Sequence, residues 1–213
     1  MLNEKQLKNI LLTAILLFLG FCSIAILVKA QKLTEFDQTI IHFIQGLECK
    51  QLTSVMKFFT QIGSFSSIMM IFLLVSVILV LYKSKLNMFI FGIVVLGTPL
   101  LNEMLKQAFQ RSRPYLHRLI EIGGYSFPSG HSMNAASLFG VLAYFLWKHV
   151  PSKAGRTAVL SISGLLILMI GGSRIYLGVH YPSDVIAGYL VSISWLLAVI
   201  WVFHKYLRKT ERK

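Results

Sequence analysis

From Ile10 to Val28 the chain carries no charged residue, and at about 1.5 Å per residue that stretch nearly crosses a ~30 Å hydrocarbon layer as one helix. Five further apolar segments follow: Ile62–Tyr82, Leu86–Leu105, Ser132–Trp147, Thr157–Ser173 and Val185–His204. Of the 213 residues 55% are hydrophobic and 14% charged, against roughly 45–50% and about 25% in soluble domains. No single core hides that much apolar surface, and the same figures exclude a disordered chain. Lys5 and Lys8 give the first run the basic start of a signal peptide. The run exceeds the usual ~7–15 residues and no A-x-A site follows, so it reads as a retained first helix. Cys22 and Cys49 cannot supply a disulfide framework. The expected fold class is all-α: an integral membrane bundle of six transmembrane helices with short interfacial helices, forming one domain over residues 1–213.

A formal charge of +13 would point to nucleic acid in a soluble chain. Here the basic residues lie between and beside the apolar runs, where an anionic bilayer orients a membrane protein, so no nucleic-acid partner is expected. Twelve of the 21 Lys and Arg residues fall on one face: Lys5, Lys8, Lys83, Lys85, Lys148, Lys153, Arg156, Lys205, Arg208, Lys209, Arg212 and Lys213. The positive-inside rule then predicts a multi-pass cell-membrane protein with both termini cytoplasmic and the opposite face extracytoplasmic. The 29–61 connection is patterned. Phe36, Ile40, Phe43, Ile44 and Leu47 recur at helical spacing after Thr34, with Asp37 three residues on as an N-terminal cap; Gly46 breaks the pattern, and Leu52, Val55, Met56 and Phe59 repeat it. Two short amphipathic helices on the outer membrane surface are predicted.

That outer face gathers an unusual set of polar residues. Lys106 and Arg113-Pro114 follow the third span, Tyr125-Ser126-Phe127-Pro128-Ser129-Gly130-His131 leads into the fourth, Ser173-Arg174 closes the fifth, and His180 and Asp184 lead into the sixth. Any one such residue can snorkel or pair; three segments converging on one face are harder to dismiss. Lys106, Arg113 and Arg174 are cations with no carboxylate partner evident in the sequence, a set that matches phosphate oxygens. Pro128-Ser129-Gly130-His131 sits at a predicted helix start, where free N–H groups and the dipole favour an anion and Gly130 admits close backbone approach. His180 and Asp184, four apart with Pro182 in the first turn, suit a carboxylate that fixes an imidazole tautomer and leaves the other nitrogen free to attack.

These residues read Lys106-x6-Arg113-Pro114, Pro128-Ser129-Gly130-His131 and Ser173-Arg174-x5-His180-x3-Asp184. The set resembles the three-part signature of the type 2 phosphatidic acid phosphatase (PAP2) family, complete and in order, with the core motifs over 106–184. In size and layout the chain is similar to the small bacterial phosphatidylglycerophosphatase members. The resemblance implies the membrane fold core shared with vanadium haloperoxidases, no cofactor or metal, and a lipid phosphate as substrate. It also implies residue roles. His180 is the nucleophile, oriented by Asp184, and His131 is the general acid that later activates water. Lys106, Arg113, Ser129, Gly130 and Arg174 hold the phosphoryl oxygens, with Pro114 and Ser173 in support. Phosphatidylglycerophosphate is the expected substrate, with phosphatidic acid beside it and undecaprenyl diphosphate as the alternative. A transporter is disfavoured because the charges cluster at one interface. A haloperoxidase-like use of the pocket is disfavoured by the six spans.

The remaining polar residues read blandly. His149 and His204 fall on the cytoplasmic side; His42 and His117 lie outside, within reach of a headgroup. No H-E-x-x-H or similar metal spacing occurs. Glu103 is expected to balance Lys106 one turn on, Thr98-Pro99 to kink the third span, and Gly171, Gly172 and Gly188 to let helices approach near the site. Headgroup selectivity is expected from Tyr115, His117, Arg118, Tyr125 or the 29–61 segment.

Overall fold

The computed structural model describes residues 3–115 and 117–211, with the backbone alone for 208–211. The described chain is all-helical: α1 (Glu4–Lys29), α2 (Thr34–Gln45), α3 (Lys50–Ile62), α4 (Phe65–Leu81), α5 (Lys85–Phe109), α6 (Gly130–His149), α7 (Lys153–Tyr176) and α8 (Pro182–Glu211). Of the basic residues assigned to the tail, Arg212 and Lys213 lie outside the described residues. Local chemistry sets several helix starts. Asn3 and Gln6 form a reciprocal capping box on α1, while Ser64 and Ser152 accept from backbone N–H groups of α4 and α7.

All six predicted spans are helices, but not all qualify alone. α1, α5, α7 and α8 are long and apolar enough to cross a membrane, and a fifth candidate is α3 plus α4, bent by 51° at the Gly63-Ser64 break. By length and composition alone, four or five of the described helices therefore qualify as spans. α4, with 17 residues, is short; one face is exposed at Leu73, Leu74, Val77 and Leu81, while Ile68 is buried and Phe72, Val75 and Leu79 pack on the core. α6 differs for the opposite reason. Met133, Ala135, Ala136, Leu138 and Val141 are buried beside buried Ser132 and Ser137, so the helix lies inside the bundle and need not be apolar all round.

α8 is the central strut. Ser194 Oγ donates to the Ala14 carbonyl at 2.8 Å and Leu190 packs on Gly20, so α1 and α8 run antiparallel and both ends of the described chain lie at one end of the bundle. Small residues bring its other neighbours close: Gly97 of α5 lies under Trp195, Gly140 of α6 under Leu196, and Gly171 of α7 under Tyr189 and Val185. Gly188 sits against Ser129 and Ser132, as expected, whereas a Cβ at Gly172 would meet nothing and that glycine makes no close approach. Pro99 lies inside a continuous α5, with the Thr98 hydroxyl donating to Val94 O. His149 and His204 rest on carbonyls of their own helices.

The amphipathic pair in 29–61 forms as predicted, with one difference. Asp37 does not cap α2: Leu33 is the N-cap, without a side-chain bond, and the Thr34 hydroxyl donates to Gln31 O. Asp37 is fully buried and points across to α8.

Candidate active site

The chemistry collects at the end of the bundle away from the chain ends, where α5 and α7 finish and α6 and α8 begin. Each motif is tied to its neighbour through backbone. Asn102 of α5 donates to Pro128 O at 3.0 Å, and its side chain fills the space where Gly130 lacks a Cβ. The Ser129 N–H donates to Asp184 O at 3.1 Å, and Arg174 O accepts from the N–H groups of both Val179 and His180. A Cβ at Gly63 would strike Ile170 and crowd His131, so the α3–α4 break lies directly against that histidine.

His180 is buried between two opposite partners. Its Nδ1 lies 3.4 Å from Asp184 Oδ2, and its Nε2 accepts from Arg113 Nη1 at 2.9 Å. That network assigns Nδ1–H and a lone pair on Nε2. Burial, followed by the charges of Arg174, Arg113 and Lys106, holds the imidazole well below its ordinary range, so it is neutral. Asp184, on the first turn of α8, also accepts the Tyr181 N–H at 3.0 Å, the backward half of a capping box.

The cations divide into saturated and unsaturated members. Arg113 donates through Nε to the carbonyls of Gly123 and Gly124 and through Nη1 to Val179 O. Arg174 is 1% exposed and bonds Thr60 of α3 through Nη1, but its buried Nε and Nη2 have no partner among the described residues. Lys106 makes no ion pair among the described residues. Glu103, expected to balance it, acts on it through its charge and also accepts from Gln107 Nε2 at 2.7 Å. The charges of Arg174, Lys106 and Arg113, and the ring of His180, all act on His131. Ser129 is buried and accepts from Ser132 Oγ at 3.0 Å.

Ser173 departs from its expected role: its hydroxyl donates to Ile170 O at 2.6 Å, inside its own helix, and reaches neither Arg174 nor the cradle. Pro114 is buried, and its carbonyl accepts from Arg118 Nε, which stiffens the turn after Arg113. Among the described residues no three His, Cys, Asp or Glu side chains group closely enough to hold a metal. His42 stays exposed, while His117 pairs with Glu48 at 2.6 Å and its carbonyl accepts from Gln45, tying His117 to the end of α2 and the α2–α3 turn.

Sequence reasoning missed four residues here: Asp37, Thr60, Asn102 and Arg111. Arg111 bridges Asp184 Oδ1 at 2.6 Å and Asp37 Oδ2 at 2.8 Å, with its guanidinium 4.0 Å from the Tyr181 ring centroid. Its place two residues before Arg113 was the available signal; nothing in the sequence linked Asp37 or Thr60 to residues more than 70 positions away. A cavity of about 430 Å³ opens on the outer side of Arg111, lined also by Val28, Leu33, Phe109 and Tyr181, and none of the motif cations or histidines borders it.

The PAP2 superfamily matches residues 87–208. Phosphatidylglycerophosphatase B of Bacillus subtilis (strain 168) is 33% identical over 199 residues, 92% of this chain and 97% of that protein. The crystal structure of a transmembrane PAP2 type phosphatidylglycerolphosphate phosphatase from Bacillus subtilis superposes with a TM-score of 0.84 at 30% identity, over 91% of this chain and 96% of that one. Lipid A 1-phosphatase of Rhizobium etli is 32% identical over 133 residues, 57% of this chain and 53% of that protein. With the signature residues gathered at one end of an all-helical bundle, the chain belongs to the PAP2 superfamily.

Proposed function

We propose that the chain is a single-domain, six-span membrane phosphatase that removes phosphate from a lipid phosphate at the outer leaflet through a phosphohistidine. The observation that carries this reading is Arg174: a buried guanidinium with two unpaired donors, beside a neutral imidazole, matches a tetrahedral oxyanion and little else.

The steps follow from the donors and lone pairs. His180 Nε2 attacks phosphorus, forming a P–N bond as the P–O bond to the lipid breaks. Asp184 stabilises the positive charge that develops on the ring. His131 gives a proton to the departing oxygen, then takes one from the water that cleaves the P–N bond and returns inorganic phosphate. Lys106, Arg113, Arg174, Ser129 and the Gly130 and His131 N–H groups bind the equatorial oxygens through both transition states. Pro114 holds the Arg113 turn. With that much fixed positive charge, no divalent ion has a necessary task.

Phosphatidylglycerophosphate is the proposed substrate, supported by the likeness to the Bacillus subtilis phosphatidylglycerophosphatase B over nearly the whole of both chains. The test is phosphate release from detergent-solubilised phosphatidylglycerophosphate, phosphatidic acid and undecaprenyl diphosphate side by side, with a soluble phosphomonoester as control. We expect phosphatidylglycerophosphate to have the highest kcat/KM and the soluble ester to be poor, since each buried CH₂ of a tail contributes about 0.8 kcal/mol. A tenfold preference for undecaprenyl diphosphate would reverse the assignment. For sidedness, Glu121→Cys with Cys49 removed is expected to react with an impermeant thiol reagent in whole cells. Labelling of Lys153→Cys in its place would invert the topology.

A further inference from the structure

Behind His180 and Asp184 lies a second layer, in which Asp37 and Ser183 are buried and Arg111 is largely covered. Asp37 comes from the interfacial helix α2, more than 140 residues away in sequence, and is 0% exposed. Its Oδ1 accepts the Ser183 backbone N–H at 2.9 Å, so it caps α8 in place of its own helix. Its Oδ2 accepts from Ser183 Oγ at 2.7 Å and from Arg111 Nη2 at 2.8 Å. Arg111 Nη1 then donates to Ser183 Oγ at 2.8 Å and to Asp184 Oδ1 at 2.6 Å. The consequence for Asp184 is geometric. With Oδ1 held by Arg111, the carboxylate cannot rotate, and Oδ2 is left facing His180 Nδ1.

We infer that Arg111 and Asp37 are positioning residues for phosphoryl transfer, acting on His180 through Asp184, so that the interfacial helix α2 is part of the catalytic apparatus. The inference rests on the reading of His180 as the nucleophile. A buried fork between two carboxylates is suited to this task, because a guanidinium presents two donors at fixed angles while lysine presents a point charge. The arrangement also explains why α2 is present at the site when it contributes nothing that faces the phosphoryl pocket. Its attachment to the bundle converges on the charge that orients the reacting ring.

The groups facing His180 are Arg113 from the segment after α5, Lys106 of α5, His131 of α6, Arg174 of α7 and Asp184 of α8. Removing Arg111 takes one cation from behind Asp184 and leaves that carboxylate to the imidazole and the Tyr181 N–H. Both changes favour the protonated ring. Attack requires the neutral ring, so the acid limb of kcat/KM must move to higher pH.

The experiment compares the full-length protein with Arg111→Gln, Arg111→Lys, Asp37→Asn and His180→Ala in rapid-quench phosphoenzyme formation, using a lipid phosphate in mixed micelles. Burst amplitude counts intact sites, so a folding defect separates from a slow step. In Arg111→Gln we expect phosphoenzyme to form about 100-fold more slowly, KM to change less than threefold, and the acid limb to rise by about one pH unit. Arg111→Lys restores the pH limb but less than a tenth of the rate, because only one carboxylate is held. Asp37→Asn keeps the α8 cap and slows the burst about tenfold at full amplitude. Should Arg111→Gln give too small an amplitude to time, Asp37→Asn decides: a parental burst rate there overturns the inference. So does a parental rate and pH limb in Arg111→Gln while His180→Ala forms no phosphoenzyme. Phosphoenzyme in His180→Ala overturns the nucleophile itself, and this inference with it.

Discussion

Two halves of the site are built on opposite terms. Around His180 the chain supplies a partner for each polar atom: Asp184 for Nδ1, Arg113 for Nε2, and Arg111, Ser183 and Asp37 behind them. Around Arg174 it does not, and two buried guanidinium donors are left over. An unmet buried donor costs about 1–3 kcal/mol, so the second half stands at a loss that the rest of the fold sustains. On the proposed reading, the nucleophile's geometry is set by the protein alone and the cradle is completed by an anion. Substitutions on the two sides should therefore separate activity from stability.

The largest effect tests the reactive centre. His180→Ala is expected to lower phosphate release by about 10⁶-fold, the scale seen when a covalent nucleophile is lost, while thermal unfolding in detergent stays near the parent. Next, Arg174→Met should reduce kcat/KM by about 10³-fold yet unfold at the same temperature or higher, because it removes unpaired donors from a buried position. Asp37→Ala should do the converse to stability, losing about 1–3 kcal/mol because the buried Ser183 N–H loses its acceptor and Arg111 keeps only one of its two carboxylates. If Arg174→Met proved the less stable of the two, the contrast drawn here would be wrong.

A smaller effect divides substrates. His131→Ala should slow release of an alkoxide leaving group about 10²- to 10⁴-fold, and affect undecaprenyl diphosphate less, since a phosphate departs without needing that proton. Equal losses on both would remove His131 as the acid. The pH profile follows from the neutral ring: with its protonation pushed to lower pH by burial and three cations, His180 stays competent to attack well below the ordinary imidazole titration near pH 6.5. An acid limb at or above that value would mean that the cradle cations do not act on it. The smallest expected effect is that of EDTA, with rates changing less than about twofold; loss restored by magnesium would assign the cradle's task to a metal.

How much of this was legible in the chain depends on the range of each interaction. The six helical segments, the amphipathic pair and the α6 start at Gly130 follow from local composition, and the structure has them all. Fewer than six helices qualify as spans on their own because length and hydropathy do not register a helix enclosed by protein, as α6 is, and because α4 is short. Asp37 shows the same limit at one residue: three positions after Thr34 it fits a local cap, yet its carboxylate finds a better donor set on α8 and Arg111. The Ser173 hydroxyl, assigned to Arg174 or the phosphate, donates to the Ile170 carbonyl on its own helix.

By itself, then, the sequence determined that the chain enters a membrane, that each apolar run is helical, and that the polar motif residues form one recognisable set, because apolar length, capping and i,i+4 geometry act over a few residues of backbone. Only tertiary structure decided which donors remain unpaired, that Thr60 and Gly63 come to lie against Arg174 and His131, and that a carboxylate from an interfacial helix backs the His180–Asp184 pair. Those facts depend on how helices far apart in sequence cross, and buried polar groups take the best partner that crossing brings within reach.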